Sequence, residues 1–321
     1  MKKQKTWVAT FLLLILPLSL FAQGAMSGEP KNDPEPRFSL ASHYAPASPT
    51  VSVLAVSSAF SQSTPAAAPW SLSFSSVTRD FLKDAGEIWS YPVHIQTRDI
   101  LPIASLAVVA GLLIANDEAI HRGFIQYRMN NAWVKAVSPF ITQMGSYGSW
   151  AIAAAFLLFG RQGSKTLETG VLATTAILQC GILTTFFKGM FGRQRPFWDN
   201  GVDRWSGPVG FFSRFGSGQL GRYDSFPGGH SITAFSLATV LAMQYGESVW
   251  VPILSYTMAG GVALSRVTEN KHWLSDCLVG SFLGVVIGRM VVLNHRSRYH
   301  ILPTAGVVNG SLSLAITVSN R

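Results

Sequence analysis

Three short clusters in this sequence hold side chains whose types and spacing could handle a phosphoryl group. One runs Ser265-Arg266-Val267-Thr268-Glu269-Asn270-Lys271-His272-Trp273-Leu274-Ser275-Asp276. His272 and Asp276 are four apart, so on a helix they would share a face. Asp276 would then accept from one ring nitrogen of His272 and leave the other with its lone pair outward. That is the fixed tautomer a histidine nucleophile needs. Lys188 and Arg195, in a second cluster that ends at Pro196, join Arg266 as three cations that segment ends could bring to one face. Like charges held close repel unless an anion sits among them, and a phosphoryl group suits that place. The remaining cluster, Ser225-Phe226-Pro227-Gly228-Gly229-His230, reads as the opening of a helix. Its glycines let the backbone approach a ligand, and unpaired amides at a helix start attract an anion.

The elements that must position these residues are apolar. Of 321 residues, 48% are hydrophobic and 13% charged, and the mean hydropathy is +0.28. The charged share is about half that of an ordinary soluble domain. Six apolar segments, near 101–115, 141–160, 170–187, 231–245, 249–264 and 277–293, predict membrane helices, several shorter than the ~20 residues of a comfortable span. Tyr245, Trp250 and Trp273 at segment edges suit the interface. Gly260 and Gly261, and the series Gly280, Gly284 and Gly288, would let helices pack closely. The clusters fall after the third segment, before the fourth, and between the fifth and sixth. Ionisable groups at span ends, rather than mid-span, describe a site at the membrane surface, open to a headgroup.

The flanks read differently. Lys2, Lys3 and Lys5 precede an apolar run and a small-residue exit, which predicts a signal peptide over 1–24. Residues 25–70 are rich in Pro, Ala and Ser and read as a flexible tether. An amphipathic interfacial helix is expected within 71–98, with Val77, Phe81, Ala85 and Ile88 on its apolar face and Arg79, Asp80, Lys83, Asp84 and Glu87 elsewhere. In the tail, 297–321, Asn309-Gly310 and the alternation of Leu312, Leu314, Ile316 and Val318 predict a short hairpin. Cys180 and Cys277 have neither metal-ligand spacing nor a disulfide pattern and read as buried apolar residues. A net charge of +9 suits an anionic partner. Nucleic acid is disfavoured, because the basic residues sit in short loops with no extended basic stripe.

In order and spacing the clusters resemble the signature of the type 2 phosphatidic acid phosphatase superfamily, bacterial membrane type: K-x6-R-P, then P-S-G-H, then S-R-x5-H-x3-D. The likeness covers about residues 100 to 296. It implies an all-α, six-helix transmembrane bundle of the phosphatidic acid phosphatase type 2/haloperoxidase kind over 99–296. It also implies hydrolysis of a lipid phosphate monoester or pyrophosphate, with no metal or cofactor. Lys188, Arg195 and Arg266 would clamp the phosphate with the backbone of Gly228 and Gly229. His272 would attack phosphorus, Asp276 would orient it, and His230 would protonate the leaving oxygen. Partners would be the lipid phosphate and bilayer lipids. One position departs: the family's serine is Gly228 here, and losing that hydroxyl's hydrogen bond is worth about 1–3 kcal/mol. Two other readings keep part of the site: a phosphatase of soluble esters or a vanadate-type haloperoxidase, and a non-catalytic binder of phosphate headgroups. The location implied is a bacterial inner membrane with the site near its periplasmic face. A signal peptide followed by three crossings would instead put the clusters on the cytoplasmic side, and both faces stay open.

Overall fold

The computed structural model describes residues 73–199, 204–213, 221–299, 301–308 and 311–318. The expected signal peptide, the tether and the Asn309-Gly310 turn lie outside the described residues. Helix α1, Phe74–Ser90, falls on the expected amphipathic stretch. The sequence placed Asp84 off its packing face, but the structure buries that carboxylate to 3% exposure. It can sit there because Arg298 Nη2 donates to it at 2.7 Å and Asn294 Nδ2 at 3.0 Å. Tyr299 also donates to Asp80 at 2.7 Å, so α1 is tied to the bundle by polar contacts as well as by Ile88.

Helix α2, Thr97–Asn130, shows why this chain needs a bilayer. Only 6% of its most apolar stretch is buried within the protein. Leu101, Val108 and Leu112 are all exposed. Among the described residues no protein surface covers them, and hydrocarbon does so at no hydrophobic cost. Helices α5, Lys165–Phe191, and α9, Leu274–Tyr299, are likewise long and apolar enough to cross a membrane. The chain is a membrane protein, and its described part is mostly helical.

The second apolar segment is not one run. It divides into α3, Ala132–Gln143, a π turn over Met144–Gly148, and α4, Ser149–Phe159. The Ser149 hydroxyl donates to the Met144 carbonyl across that turn at 2.7 Å. Gly145 explains the location: a Cβ there would stand 2.4 Å from Val262 Cγ1 and 3.1 Å from the His230 carbonyl. The widened turn thus presses backbone against the residue that the sequence singled out as an acid.

A short helix α6, Gly207–Ser213, precedes α7, Gly229–Gln244, and α8, Trp250–Thr268, follows. Helix α7 is central, with α9, α8 and α5 packed around it. Its contact with α9 runs along the glycine series Gly280, Gly284 and Gly288. A Cβ on Gly280 would lie 2.6 Å from the Gly228 carbonyl, on Gly284 2.4 Å from that of Ile232, and on Gly288 2.6 Å from that of Ser236. Both series step by four residues, so one glycine ridge accepts one row of carbonyls, and any side chain would force the helices apart. Cys180 and Cys277 are free thiols with no exposed surface. In the tail, the backbone of β1, Ile301–Val308, pairs antiparallel with β2, Ser311–Val318.

Candidate active site

Lys188 sits in the last turn of α5, which ends at Gly192 in the left-handed conformation (φ 52°), its amide donating back to the Lys188 carbonyl. A glycine is suited to that C-cap because it carries no Cβ. The chain then runs beside the segment that precedes α7. Ser225 N–H donates to the Arg193 carbonyl at 3.0 Å and Arg195 N–H to that of Arg222 at 2.9 Å. This pairing sets Arg195 against Asp224. Arg266 lies in the last turn of α8, after which Asn270, at φ 63°, reverses the chain. Asparagine tolerates that conformation better than most residues. Its side-chain oxygen lies 2.6 Å from His121 Nε2 on α2, and the amides of Lys271 and His272 both return to the Arg266 carbonyl.

His272 is buried, with Nδ1 2.7 Å from the backbone carbonyl of Ser225. A carbonyl can only accept, so Nδ1 carries the proton and Nε2 keeps its lone pair. The tautomer expected from the sequence is therefore present, but its cause differs. Asp276 Oδ2 stands 3.9 Å from Nδ1, too far for a hydrogen bond. Helix α9 begins at Leu274, so His272 precedes it and the shared-face argument fails. As the third helical residue, Asp276 reaches back to accept the Trp273 amide at 3.0 Å, half of a capping box. It also accepts the Ser225 hydroxyl at 2.5 Å. Asp276 thus acts on His272 through Ser225, a residue given no role from sequence.

Arg193 lies between Lys188 and Arg195, where the sequence pattern gives it no role. It is 2% exposed, and its guanidinium bridges Asp276 at 2.6 Å, Asp117 of α2 at 2.7 Å and the Ser275 hydroxyl at 2.7 Å. Its plane lies 4.6 Å from the Trp205 ring and 5.4 Å from that of Trp273. The Ser275 hydroxyl donates to Asp117 as well. Two carboxylates and two rings surround this buried charge, while its Nε has no hydrogen-bond partner among the described residues. The readable signal was Asp117 itself, an acid just past an apolar stretch.

Each expected clamp cation meets a carboxylate. Arg195 Nε donates to Asp224 at 2.6 Å, Lys188 Nζ lies 3.9 Å from the same group, and Arg266 Nη1 donates to Glu269 at 3.2 Å. Burial alone would raise the Asp224 carboxyl. The Arg195 hydrogen bond and the Lys188 and Arg195 charges outweigh it and hold the group well below the usual carboxylate range. Burial, reinforced by Arg195, pushes the His272 imidazole down to about 3. At neutral pH the ring is therefore uncharged.

His230 is the second residue of α7, within reach of the charges of Arg266, Lys188 and Arg195. The two glycines before it separate. A Cβ on Gly229 would stand 3.6 Å from Lys188 Nζ, so its backbone flanks the clamp. Gly228 does not offer its amide there, because that N–H donates to the Asp276 carbonyl at 2.9 Å. A side chain at 228 would also meet that carbonyl at 3.1 Å, which explains why the bare backbone fits against α9. Of the residues singled out in the sequence, Lys188, Arg195, Arg266, Gly229, His230, His272 and Asp276 converge at one end of the bundle, and Gly228 joins them as packing.

That region, residues 169–299, matches the PAP2 superfamily. The likeness to that superfamily rests on this segment, which is less than half of the chain. Every convergent residue named above falls inside the PAP2 segment. Over 68 residues, 21% of the chain, it is 40% identical to a protein of Porphyromonas gingivalis named Lipid A 1-phosphatase. It spans 15% of that relative's length. Two solved structures are similar. One, LpxE of Aquifex aeolicus, is 19% identical with a TM-score of 0.43 over 55% of this chain and 93% of that one. The other, a transmembrane PAP2-type phosphatidylglycerolphosphate phosphatase of Bacillus subtilis, is 20% identical with a TM-score of 0.40 over 69% and 95%.

Proposed function

We propose that this protein hydrolyses a lipid phosphate monoester or pyrophosphate through a phosphohistidine on His272. The observation that carries the reading is the 2.7 Å contact between His272 Nδ1 and the Ser225 carbonyl. It leaves a neutral Nε2 with a lone pair in a site where Arg195, Arg266 and Lys188 supply positive charge. Those cations bind the phosphoryl oxygens and neutralise charge as phosphorus is attacked. Nε2 forms the bond to phosphorus while the bond from phosphorus to the lipid oxygen breaks, and His230 donates a proton to that oxygen. Water then attacks the phosphohistidine, giving its proton to His230 and releasing inorganic phosphate with His272 restored.

The bundle supports a lipid substrate. We read six crossings: α2, the broken pair α3 and α4, α5, α7, α8 and α9. From Thr97 to Asp117, which meets the buried Arg193 beside the site, α2 rises ~30 Å, one hydrocarbon thickness. The clamp then lies at headgroup depth. The named relative motivates including a lipid A phosphate among the candidates.

The test is phosphate release by purified protein from phosphatidic acid, phosphatidylglycerol phosphate, undecaprenyl pyrophosphate and a lipid A phosphate, with His272→Ala as control. Release from at least one, lost in the variant, is the expected result. Release confined to soluble esters would move the assignment to that class. No release from any substrate, with both proteins alike, would leave only headgroup binding.

A further inference from the structure

A pocket of mixed lining lies far from the catalytic cluster, between the end of α1, the start of α2 and the C-terminal half of α9. It encloses about 740 Å³, the size of a small-molecule site. His94 and Arg98 line it from the start of α2 and the turn before it, and Arg289 lines it from α9 beside the apolar Val286, Met290 and Leu293. Arg289 is the unusual member. It stands in the apolar helix α9 and, among the described residues, has no ion-pair partner. Its Nη1 is buried without a hydrogen bond. Arg98 lines the same pocket.

The two acids at the pocket are already committed. Asp99 accepts the Gln96 amide at 3.0 Å and lies 4.0 Å from Arg98 Nε, and Glu87 lies 3.6 Å from Arg298. Two cations facing one space, one of them unpaired, call for an anion. Depth says which kind. Arg289 is fifteen residues along α9 from Leu274, ~22 Å by helical rise, and Arg98 is nineteen residues along α2 from Asp117, ~28 Å. The pocket therefore sits near the membrane interface opposite the catalytic cluster. A ligand there needs a phosphate for the two arginines and an acyl chain for the apolar wall.

We propose that this pocket binds a glycerophospholipid of the leaflet opposite the catalytic site, with its phosphodiester between Arg289 and Arg98. The assignment is independent of the reaction at His272. The test is native mass spectrometry of the full-length protein titrated with dioleoyl phosphatidylglycerol, comparing wild type, Arg289→Gln and Arg289→Lys. Wild type should retain lipid, Arg289→Gln should lose at least about fivefold in apparent affinity, and the lysine variant should keep most of it. Inorganic phosphate added in excess should not displace the lipid. Arg98→Gln reads the same pocket if Arg289→Gln does not fold. Equal retention by wild type and both glutamine variants would overturn the proposal, as would displacement by free phosphate. Phosphate release should be unaffected in Arg289→Gln, since the residue touches no part of the catalytic cluster.

Discussion

Arg195 Nε donates to Asp224 across 2.6 Å, and the other oxygen of that carboxylate lies 3.9 Å from Lys188 Nζ. On the proposed function, this carboxylate and a substrate phosphoryl group compete for the same two cations. Asp224 relieves repulsion between two clamp cations and must yield to the incoming anion. Asp224→Asn should therefore bind orthovanadate more tightly, lowering its inhibition constant about three- to tenfold, or ~0.7–1.4 kcal/mol. An unchanged or raised constant would show that Asp224 orders the clamp without competing for it.

His230 is expected to matter in proportion to how poor the leaving group is. His230→Ala should lose about 10²- to 10⁴-fold on an alkyl phosphate. On p-nitrophenyl phosphate, whose leaving oxygen needs no proton, the loss should be at least tenfold smaller by about the same reasoning. Equal losses on both would remove the general-acid role.

The depressed imidazole gives a stability signature. Because burial pushes His272 down to about 3 from its ordinary 6.5, the unfolded chain binds a proton there in a range where the folded one does not. Its stabilising contribution is full above pH 6.5 and is lost as pH falls toward 3. Wild type should lose stability on acidification from pH 6.5 by up to about 1.4 kcal/mol per pH unit more than His272→Gln does. Asp224 contributes in the same direction only once pH falls below its ordinary 3.8, so measurements between 6.5 and 4 separate the two. Denaturant midpoints of both proteins across that window would check it.

The bridge from Asp117 through Arg193 to Asp276 should be the costliest polar feature to break. Asp117→Ala strips one carboxylate from a buried guanidinium and an acceptor from Ser275, at a cost of about 3 kcal/mol or more. Asp117→Asn, which keeps an acceptor, should fall between it and wild type. Thermal unfolding in detergent would order the three, and no difference between Asn and Ala would argue that charge, not bonding, holds the bridge.

Much of the site could be read from the sequence because its parts lie in short ordered clusters. Lys188, Arg266 and His230 sit in the end turns of helices, and Arg195 and His272 in the short loops beside such ends, so segment edges mark all five. The glycine ridge of α9 was legible for a similar reason: a four-residue step is a local property. What escaped depends on distant pairing. Arg193 and Asp117 are separated by 76 residues, and nothing local to either announces the other. Ser225 holds His272 through its carbonyl, a group every residue has, so no side-chain pattern could mark it. The His272–Asp276 contact was misplaced because helical spacing was applied across the start of a helix, where only one of the two residues is helical. Asp84 misled in the opposite sense, since a charged residue is buried when its partners, Arg298 and Asn294, wait on the neighbouring helix.

The complete burial of both native thiols has a practical consequence for orientation in the membrane. Cys180 and Cys277 expose no surface, so toward a water-borne maleimide the wild-type chain should behave as if it had no cysteine. A single cysteine placed at exposed Phe212, beyond the catalytic end of the bundle, or at Glu247, between α7 and α8 at the other end, would be the sole reactive sulfur. An impermeant reagent added to intact cells should modify one and spare the other, and the modified one tells which compartment the candidate site faces.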